Sequence, residues 1–392
     1  METTAKKILK IDKTNWTPVK FGDVVFEPKD NAKDLYNESI EHVVGLEHID
    51  SENIHLTRSG KLEESTTFSK KFRKGDVLFG RRRAYLKKAA LASFDGICSG
   101  DITVFRAKKN LLPELLPFIV NNEKFFDYAI KHSAGGLSPR VKFKDLANYE
   151  FLLPPKDQQA QLAELLWAMD EVIEREKEVL QSIQKYLVSF TENVLLGGDQ
   201  FVVLGNLISG ITAGKSVNGT NKPVSENIKG VLKVSAVGPN GFDPEENKTI
   251  TNQSDFDPKY AVRKNDILIT RANTTELVGR VCLVPNDYPN QMLCDKTLRL
   301  ETLSGIDKHF LIAALSSRFV RSQIEGFATG TGGAMKNISQ NEIRNLKIPS
   351  KSAIEQNRLG NIIKNTTSFT EMVRVKISNS QALQKSLINQ IF

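Results

Sequence analysis

Cysteine is nearly absent from this chain. Its 392 residues hold three, Cys98, Cys282 and Cys294, none in a C-x-x-C pair. That spacing supports neither a disulfide framework nor a zinc site, and it fits a reducing compartment, so the expected location is the cytoplasm. No window approaches about 18 uncharged apolar residues, which argues against a spanning helix. The opening Met1-Glu2-Thr3-Thr4-Ala5-Lys6-Lys7 leads into Ile8-Leu9-Lys10-Ile11-Asp12 without the apolar core of a secretory signal. Catalytic signatures are scarce too. Ser209-Gly210-Ile211-Thr212-Ala213-Gly214-Lys215-Ser216 looks like a phosphate-binding loop but sets three residues, not four, between its glycines. Asp12 with Glu27-Pro28-Lys29 is a loose nuclease pattern with proline inside the triplet. Leu153-Pro154-Pro155-Lys156 lacks both flanks of a methyltransferase site. His42, His48 and His55 match no ligand spacing, so no metal is expected.

What the chain does have is positive charge and a heptad. Net charge is +8 with a pI near 9.1. Residues 1–155 carry +5 and residues 199–349 carry +3, a mild excess that fits a polyanionic partner. Between them, three positions recur in sevens. One reads Leu162, Met169, Glu176, Ile183, Phe190; the next Leu165, Val172, Val179, Tyr186, Asn193; the third Leu166, Ile173, Leu180, Leu187, Val194. Thirteen of these fifteen are apolar, the signature of a long helix with one adhesive seam. Pro154-Pro155 and Gly197-Gly198 bracket it, and at 1.5 Å per residue it would span roughly 55 Å.

A patchier copy closes the chain: Leu359, Ile362, Ile363, Phe369, Val373, Ile377, Leu383, Leu387 and Ile391, with Thr366, Thr370, Lys376, Ser380 and Gln384 at equivalent sites. Residues 156–198 are net −4 and residues 350–392 net +4, so the two helices are expected to pair.

The globular parts are one part written twice. Phe21-Gly22-Asp23-Val24 returns as Leu204-Gly205-Asn206-Leu207, and Arg73-Lys74-Gly75-Asp76-Val77-Leu78 as Arg263-Lys264-Asn265-Asp266-Ile267-Leu268. Ile102-Thr103-Val104 matches Leu298-Arg299-Leu300, and Phe118-Ile119-Val120-Asn121-Asn122 matches Ala313-Ala314-Leu315-Ser316-Ser317. The glycine-rich Ser133-Ala134-Gly135-Gly136 returns as Ala328-Thr329-Gly330-Thr331-Gly332-Gly333, and Leu152-Leu153-Pro154 as Lys347-Ile348-Pro349. The expected fold class is α+β: two repeated α/β domains separated by two long helices, with pseudo-two-fold symmetry if those helices pair as an antiparallel coiled coil. Expected bounds are 1–155, 156–198, 199–349 and 350–392. The seam is assigned to Leu162, Leu166, Met169, Ile173, Leu180, Ile183, Leu359, Ile363, Val373, Ile377 and Leu387.

This ordered set resembles the specificity subunit of type I restriction–modification systems along the whole chain. The resemblance rests on the repeated domains, the Gly-Asp-Val-Leu strand followed by arginine, and the glycine/threonine loop before Lys336-Asn337-Ile338-Ser339. It also rests on the Pro155-Lys156-Asp157-Gln158-Gln159 and Glu355-Gln356 helix entries and on the Gln-Lys-Ser-Leu-Ile-Asn-Gln-Ile-Phe ending. The first loop departs from the pattern, with Leu137-Ser138-Pro139-Arg140 in place of a polar run.

The resemblance implies a non-catalytic subunit whose two domains each read half of a split double-stranded DNA site, with half-site centres roughly 10 bp apart. It implies two modification (methyltransferase) subunits and restriction (motor and nuclease) subunits as partners, and no membrane. S-adenosylmethionine, ATP and Mg would reside in those partners, with no cofactor in this chain. A stand-alone DNA-binding protein or a nuclease is the alternative. Candidate DNA contacts are Arg81, Arg82, Arg83, Tyr85, Lys87 and Lys88 past the first arginine-tipped strand, with Ser138, Arg140 and Lys142 at its loop. In the second domain they are Arg271, Asn273, Thr274 and Thr275, with Thr329, Thr331, Lys336 and Asn337. Arginine forks suit guanine edges and phosphate oxygens alike, and glycine lets backbone approach closely.

Overall fold

The computed structural model describes residues 11–33, 40–62, 67–195, 197, 200–224, 228–330 and 335–392. By contact the chain falls into two compact units, Met1–Lys177 with Val375–Phe392, and Glu178–Arg374. The division runs through both long helices, so each unit holds one globular part and a segment of each helix.

In the first unit the strands are β1 (Thr17–Lys20), β2 (Val25–Phe26), β3 (Val43–Val44), β4 (Lys70–Phe72), β5 (Val77–Gly80), β6 (Ala89–Leu91), β7 (Gly96–Cys98), β8 (Ile102–Ala107) and β9 (Glu150–Leu153). Short helices α1 (Phe21–Val24), α2 (Leu116–Val120), α3 (Glu123–Lys131) and α4 (Phe143–Leu146) precede the long α5 (Lys156–Leu195). An antiparallel sheet β2-β8-β5-β6 carries the core, a small sheet β3-β7-β4 lies beside it in sequence, and β1 pairs β9. The strands form because short apolar runs such as Val77-Leu78-Phe79 are buried on both faces. Phe21, Phe79, Phe105, Phe118, Phe125 and Phe126 fill the core with edge-on and stacked ring contacts.

The second unit repeats the plan. Its strands are β10 (Phe201–Val203), β11 (Ile208–Ala213), β12 (Gly219–Thr220), β13 (Gly230–Leu232), β14 (Val237–Gly238), β15 (Gly241–Phe242), β16 (Asn247–Ile250), β17 (Ala261–Val262), β18 (Ile267–Thr270), β19 (Ala272–Asn273), β20 (Val281–Leu283), β21 (Tyr288–Met292), β22 (Thr297–Thr302), β23 (Lys336–Asn337) and β24 (Lys347–Pro349). Its helices are α6 (Lys308–Ser316), α7 (Arg318–Phe327), α8 (Gln340–Arg344) and α9 (Ala353–Ile391). Sheet β11-β22-β18-β20 reproduces β2-β8-β5-β6, and β10 pairs β24 as β1 pairs β9. A parallel pair sits in a second sheet of each unit, β3 with β7 in the three-stranded β3-β7-β4 and β13 with β21 in the five-stranded β12-β16-β13-β21-β17.

Two repeated residues have a physical cause. The turn before β5 and β18 needs a left-handed backbone, met by Gly75 at φ +90° and by Asn265 at φ +66°. A Cβ on Gly22 would lie 2.7 Å from that of Ala147, and one on Gly205 would lie 3.3 Å from the Arg344 carbonyl, so each glycine admits the short helix before the last strand.

Within the first unit the long helices run antiparallel. Gln384 donates to the Leu166 carbonyl at 3.4 Å and Lys376 reaches Glu176 at 3.2 Å. Leu166, Ile173, Ile377 and Leu387 are buried there, with Leu162 and Met169 half-buried. In the second unit Leu359, Ile363 and Val373 are buried and Leu180 and Ile183 half-buried. The heptad assignment needs one correction. The column Leu165, Val172, Val179 and Tyr186 is between 42% and 54% exposed, so two columns form the seam and not three. On α9 Phe369 and Leu383 also face outward, at 48% and 64%, while Thr370 is buried. Thr370 and Thr366 keep their hydroxyls satisfied by donating to carbonyls one turn back, so polar residues lie in the seam without an orphaned donor. Opposite net charge also contributes less helix to helix than it suggested. Among the described residues of the first unit, Lys376–Glu176 is the ion pair between the helices, and Lys385 turns instead to Glu52 and Glu123.

Candidate nucleic-acid interface

The strand that ends in arginine and the glycine loop, separated by about fifty residues of sequence, are tied together by backbone. Arg81 N donates to the Asp101 carbonyl at 3.0 Å, and Val141 N donates to the Arg81 carbonyl at 3.0 Å. Ala134 and Arg140 exchange both amide bonds at 3.0 and 2.9 Å, closing the loop into a hairpin, and Arg83 N donates to the Pro139 carbonyl at 2.8 Å. The second unit uses the same ties. Arg271 N donates to the Lys296 carbonyl and Ile338 N to the Arg271 carbonyl, both at 2.9 Å, while Thr329 and Asn337 exchange bonds at 2.9 and 2.8 Å. Ala272 and Asn273 pair with Asn337 and Lys336. Thr331 lies outside the described residues.

Side chains differ where the backbones agree. In the first unit Asp101 takes Arg140 at 2.7 Å and Arg82 at 3.2 Å. Burial opposes its ionisation, but the hydrogen bonds and charges of Arg140 and Arg82 outweigh that and hold the carboxyl below its ordinary value. Ser138 accepts from Arg82 Nη2 at 3.0 Å and from Arg83 Nη2 at 3.5 Å. Three guanidinium groups are thus gathered at one loop, Arg83 and Arg140 exposed and Arg82 half-buried. In the second unit the backbone position of Asp101 is held by Lys296, and those of Arg82 and Arg140 by Ala272 and Asn337. Lys336 Nζ donates to the Gly330 carbonyl at 3.1 Å, and Asn273 caps Thr274 N at 2.9 Å. Thr274, Thr275, Thr329 and Asn337 are exposed. Sequence reasoning missed Asp101, whose signal is only that it falls in the turn between β7 and β8, one acid among many.

The basic run past β5 is divided by the fold. Arg81 to Arg83 go to the loop, with Arg83 at φ +54°. Tyr85 is 52% exposed. Lys87 turns to Glu52 at 3.7 Å and Glu123 at 3.8 Å, and Lys88 donates to the Leu46 carbonyl at 2.7 Å. Lys142 is exposed where α4 begins.

The weaker motifs resolve differently. Ile208–Ala213 is strand, and a Cβ on Gly214 would lie 2.2 Å from the Cys294 carbonyl, so the stretch from Ser209 to Ser216 is no open phosphate cradle. Glu27 pairs with Lys70 at 3.1 Å, and Asp12 hydrogen-bonds Thr14. His42 meets Ser59 at 2.9 Å and His48 accepts from Gly45 N at 3.0 Å. His55 lies 2.7 Å from Asp170, and with Glu174 it forms a group whose ligand atoms all fall within 4.8 Å, the one such group among the described residues. Glu174 also takes Lys177 at 2.7 Å, so a cation already serves that carboxylate. The three cysteines are buried, and burial pushes the Cys98 and Cys282 thiols up to about 12.

Residues 13–185 match the family described as the type I restriction modification DNA specificity domain. The specificity subunit of the Escherichia coli type I restriction enzyme EcoEI is 28% identical over 196 residues, 50% of this chain and 33% of that protein. That of EcoDI, also from Escherichia coli, is 29% identical over 119 residues, 29% of this chain and 26% of that protein. The matches therefore span about a third of the relatives' own length or less. Among solved structures, the type I restriction–modification S subunit from M. genitalium superposes with a TM-score of 0.61 at 14% identity, covering 99% of this chain and 98% of that one. A chain described under complex assembly and conformational transition of the type I restriction–modification system gives 0.56 at 20% identity, covering 96% of each. At such identities these two likenesses speak for the fold. With the domain match and the two relatives beside them, residues 13–185 are similar to the DNA specificity domain of type I restriction–modification systems, and the whole chain shares the fold of solved S subunits.

Proposed function

We propose that this chain is the DNA sequence-recognition subunit of a type I restriction–modification complex and binds a bipartite target, one half-site to each globular part. One observation carries the reading. The same backbone ties bring an arginine-tipped strand and a glycine loop together in both units, with different side chains on each. One scaffold with two chemistries suits two different half-sites. Arg82, Arg83 and Arg140 offer forks for guanine edges and phosphates, whereas Asn337, Thr274 and Thr275 offer neutral hydrogen-bonding groups.

The chain itself is non-catalytic and works in the cytoplasm. Two modification subunits bring S-adenosylmethionine, and restriction subunits bring ATP and Mg. The outward columns Leu165, Val172, Val179, Tyr186 and Phe369, Met372, Leu383 leave apolar surface along both long helices, which supports docking of the modification subunits there. Long-read methylation mapping in a host expressing this chain with its modification partner tests the proposal. A split motif with a fixed gap is expected, and exchanging residues 199–349 for those of a relative should change one half only. A contiguous motif, or none, would overturn it.

A further inference from the structure

The loop between Ala134 and Arg140 carries a residue that neither the core nor the arginines use. Leu137 is 97% exposed, the extreme among the large apolar side chains described. Its surroundings are fastened. The Ala134–Arg140 bridge closes the loop, Arg83 N holds Pro139, and two guanidinium groups hold Ser138, the next residue. Gly135 sits at φ +118°, and nothing lies within 4 Å of where a Gly136 Cβ would be, so the tip stands clear of the rest of the unit. A leucine on a braced tip, with Arg82 and Arg83 on the neighbouring Ser138 and Arg140 closing the loop, is an apolar point beside three cations. The second unit places Met335, 43% exposed, two residues before its own bridge residue Asn337.

We propose that Leu137 is a wedge that enters a base step of the half-site read by the first globular part, the arginines holding the phosphates on either side. The idea rests on the DNA-recognition reading above. Base faces are the apolar surface a duplex offers, and an aliphatic side chain inserted between them partly unstacks and kinks the step. The three cations commit the tip to a polyanion; an apolar protein pocket would leave three guanidinium groups to be desolvated. A step that unstacks easily, such as pyrimidine–purine, would be favoured there, adding specificity without a base-edge hydrogen bond.

The test uses the full chain in complex with its modification partner on a duplex carrying the mapped target, with 2-aminopurine moved base by base through the first half-site. Wild type should raise fluorescence severalfold at one step. Leu137→Ala should return that step to within about twofold of the free duplex, and Leu137→Phe should keep the rise. Met335→Ala should leave the first half-site unchanged. Because Leu137 touches no core residue, folding is not at stake, and the salt dependence of binding should be the same in all variants. Binding without a rise, or a rise that Leu137→Ala leaves intact, would overturn the wedge alone. Failure of wild type to bind the duplex would overturn the recognition reading with it.

Discussion

At the scale of single residues, chemistry is decided by neighbours that sequence distance hides. Arg81, Arg82 and Arg83 are visible in the sequence as a cationic run, and their position past a buried strand is legible. Which of their donors stay available is not, because Asp101 arrives from another turn to take one nitrogen each of Arg82 and Arg140, and Glu52 and Glu123 draw in Lys87. His55 is a second case. Its imidazole meets the buried carboxylate of Asp170, with Glu174 and Lys177 nearby. The hydrogen bond that His55 donates to Asp170 is the largest influence and raises the histidine's pKa; burial opposes, and the charges of Asp170 and Glu174 add to the rise while Lys177 lowers it. A histidine whose folded value is raised stabilises fully below its unfolded value of 6.5, and that contribution is lost as pH climbs through the raised value. The melting temperature of wild type should therefore exceed that of Asp170→Asn most at about pH 6 and by a shrinking margin toward about pH 9. A margin independent of pH would show that the contact acts through packing alone.

At the scale of elements, the repeated Arg-Lys-x-Asp turn is legible as a strand entry, and its electrostatic partner is not. Asp76 takes Arg106 on β8 through two bonds of 2.7 Å and is 2% exposed. Asp266 takes Arg299 on β22 at 2.9 Å, but Arg299 spends its other nitrogens on the carbonyls of Lys259 and Ala261. By strand register the two arginines are not equivalent: Phe105 faces Val77 as Leu300 faces Ile267, which puts Arg106 one residue after and Arg299 one residue before. A shared acid thus found two different partners, which no alignment of the halves reveals. Burial pushes the Asp266 carboxyl up despite its amide bond to Arg263 and the nearby Arg299 charge, so that pair is less fully offset. Asp76→Asn should cost about 3–5 kcal/mol by leaving a guanidinium without its fork partner, and Asp266→Asn should cost less. Chemical denaturation followed by circular dichroism would rank them, and the reverse order would overturn the account.

The long helices show the same limit. The heptad made them legible, and caps of proline and glycine bracketed α5 within a few residues. Which columns face inward was not legible, because the globular part covers one side of the helix. Ala163 and Asp170 are buried on that side, while Leu165 and Val172, equally good heptad residues, are left outside. A hydrophobic period reports that a face exists, and tertiary packing chooses it.

At the scale of the whole molecule, the proposed function makes α5 and α9 the element that sets the gap between half-sites. Each globular part is tied to its own helix segments: Gln159 bonds Leu112 N at 2.8 Å in the first unit, and Asp307 N bonds Gln356 at 3.4 Å in the second. Lengthening the helices should therefore leave both readers intact and change only their separation. Four residues inserted after Ile183 and four after Thr366 add about one turn to each helix, which keeps the apolar stripe nearly in phase and adds ~6 Å. At ~3.4 Å per base pair, the methylated motif should keep both half-sites and prefer a gap one or two base pairs longer. Inserting into one helix alone should instead break the seam and lower the soluble yield, since exposed seam residues invite association. The mapping distinguishes three cases. Unchanged half-sites with a longer gap establish the helices as the ruler. An unchanged motif and gap removes that role, because the readers would then find their spacing without the helices. Altered half-sites would mean that the insertion reaches the reading loops, and that the ties at Gln159 and Gln356 do not isolate each globular part from the helix it sits on.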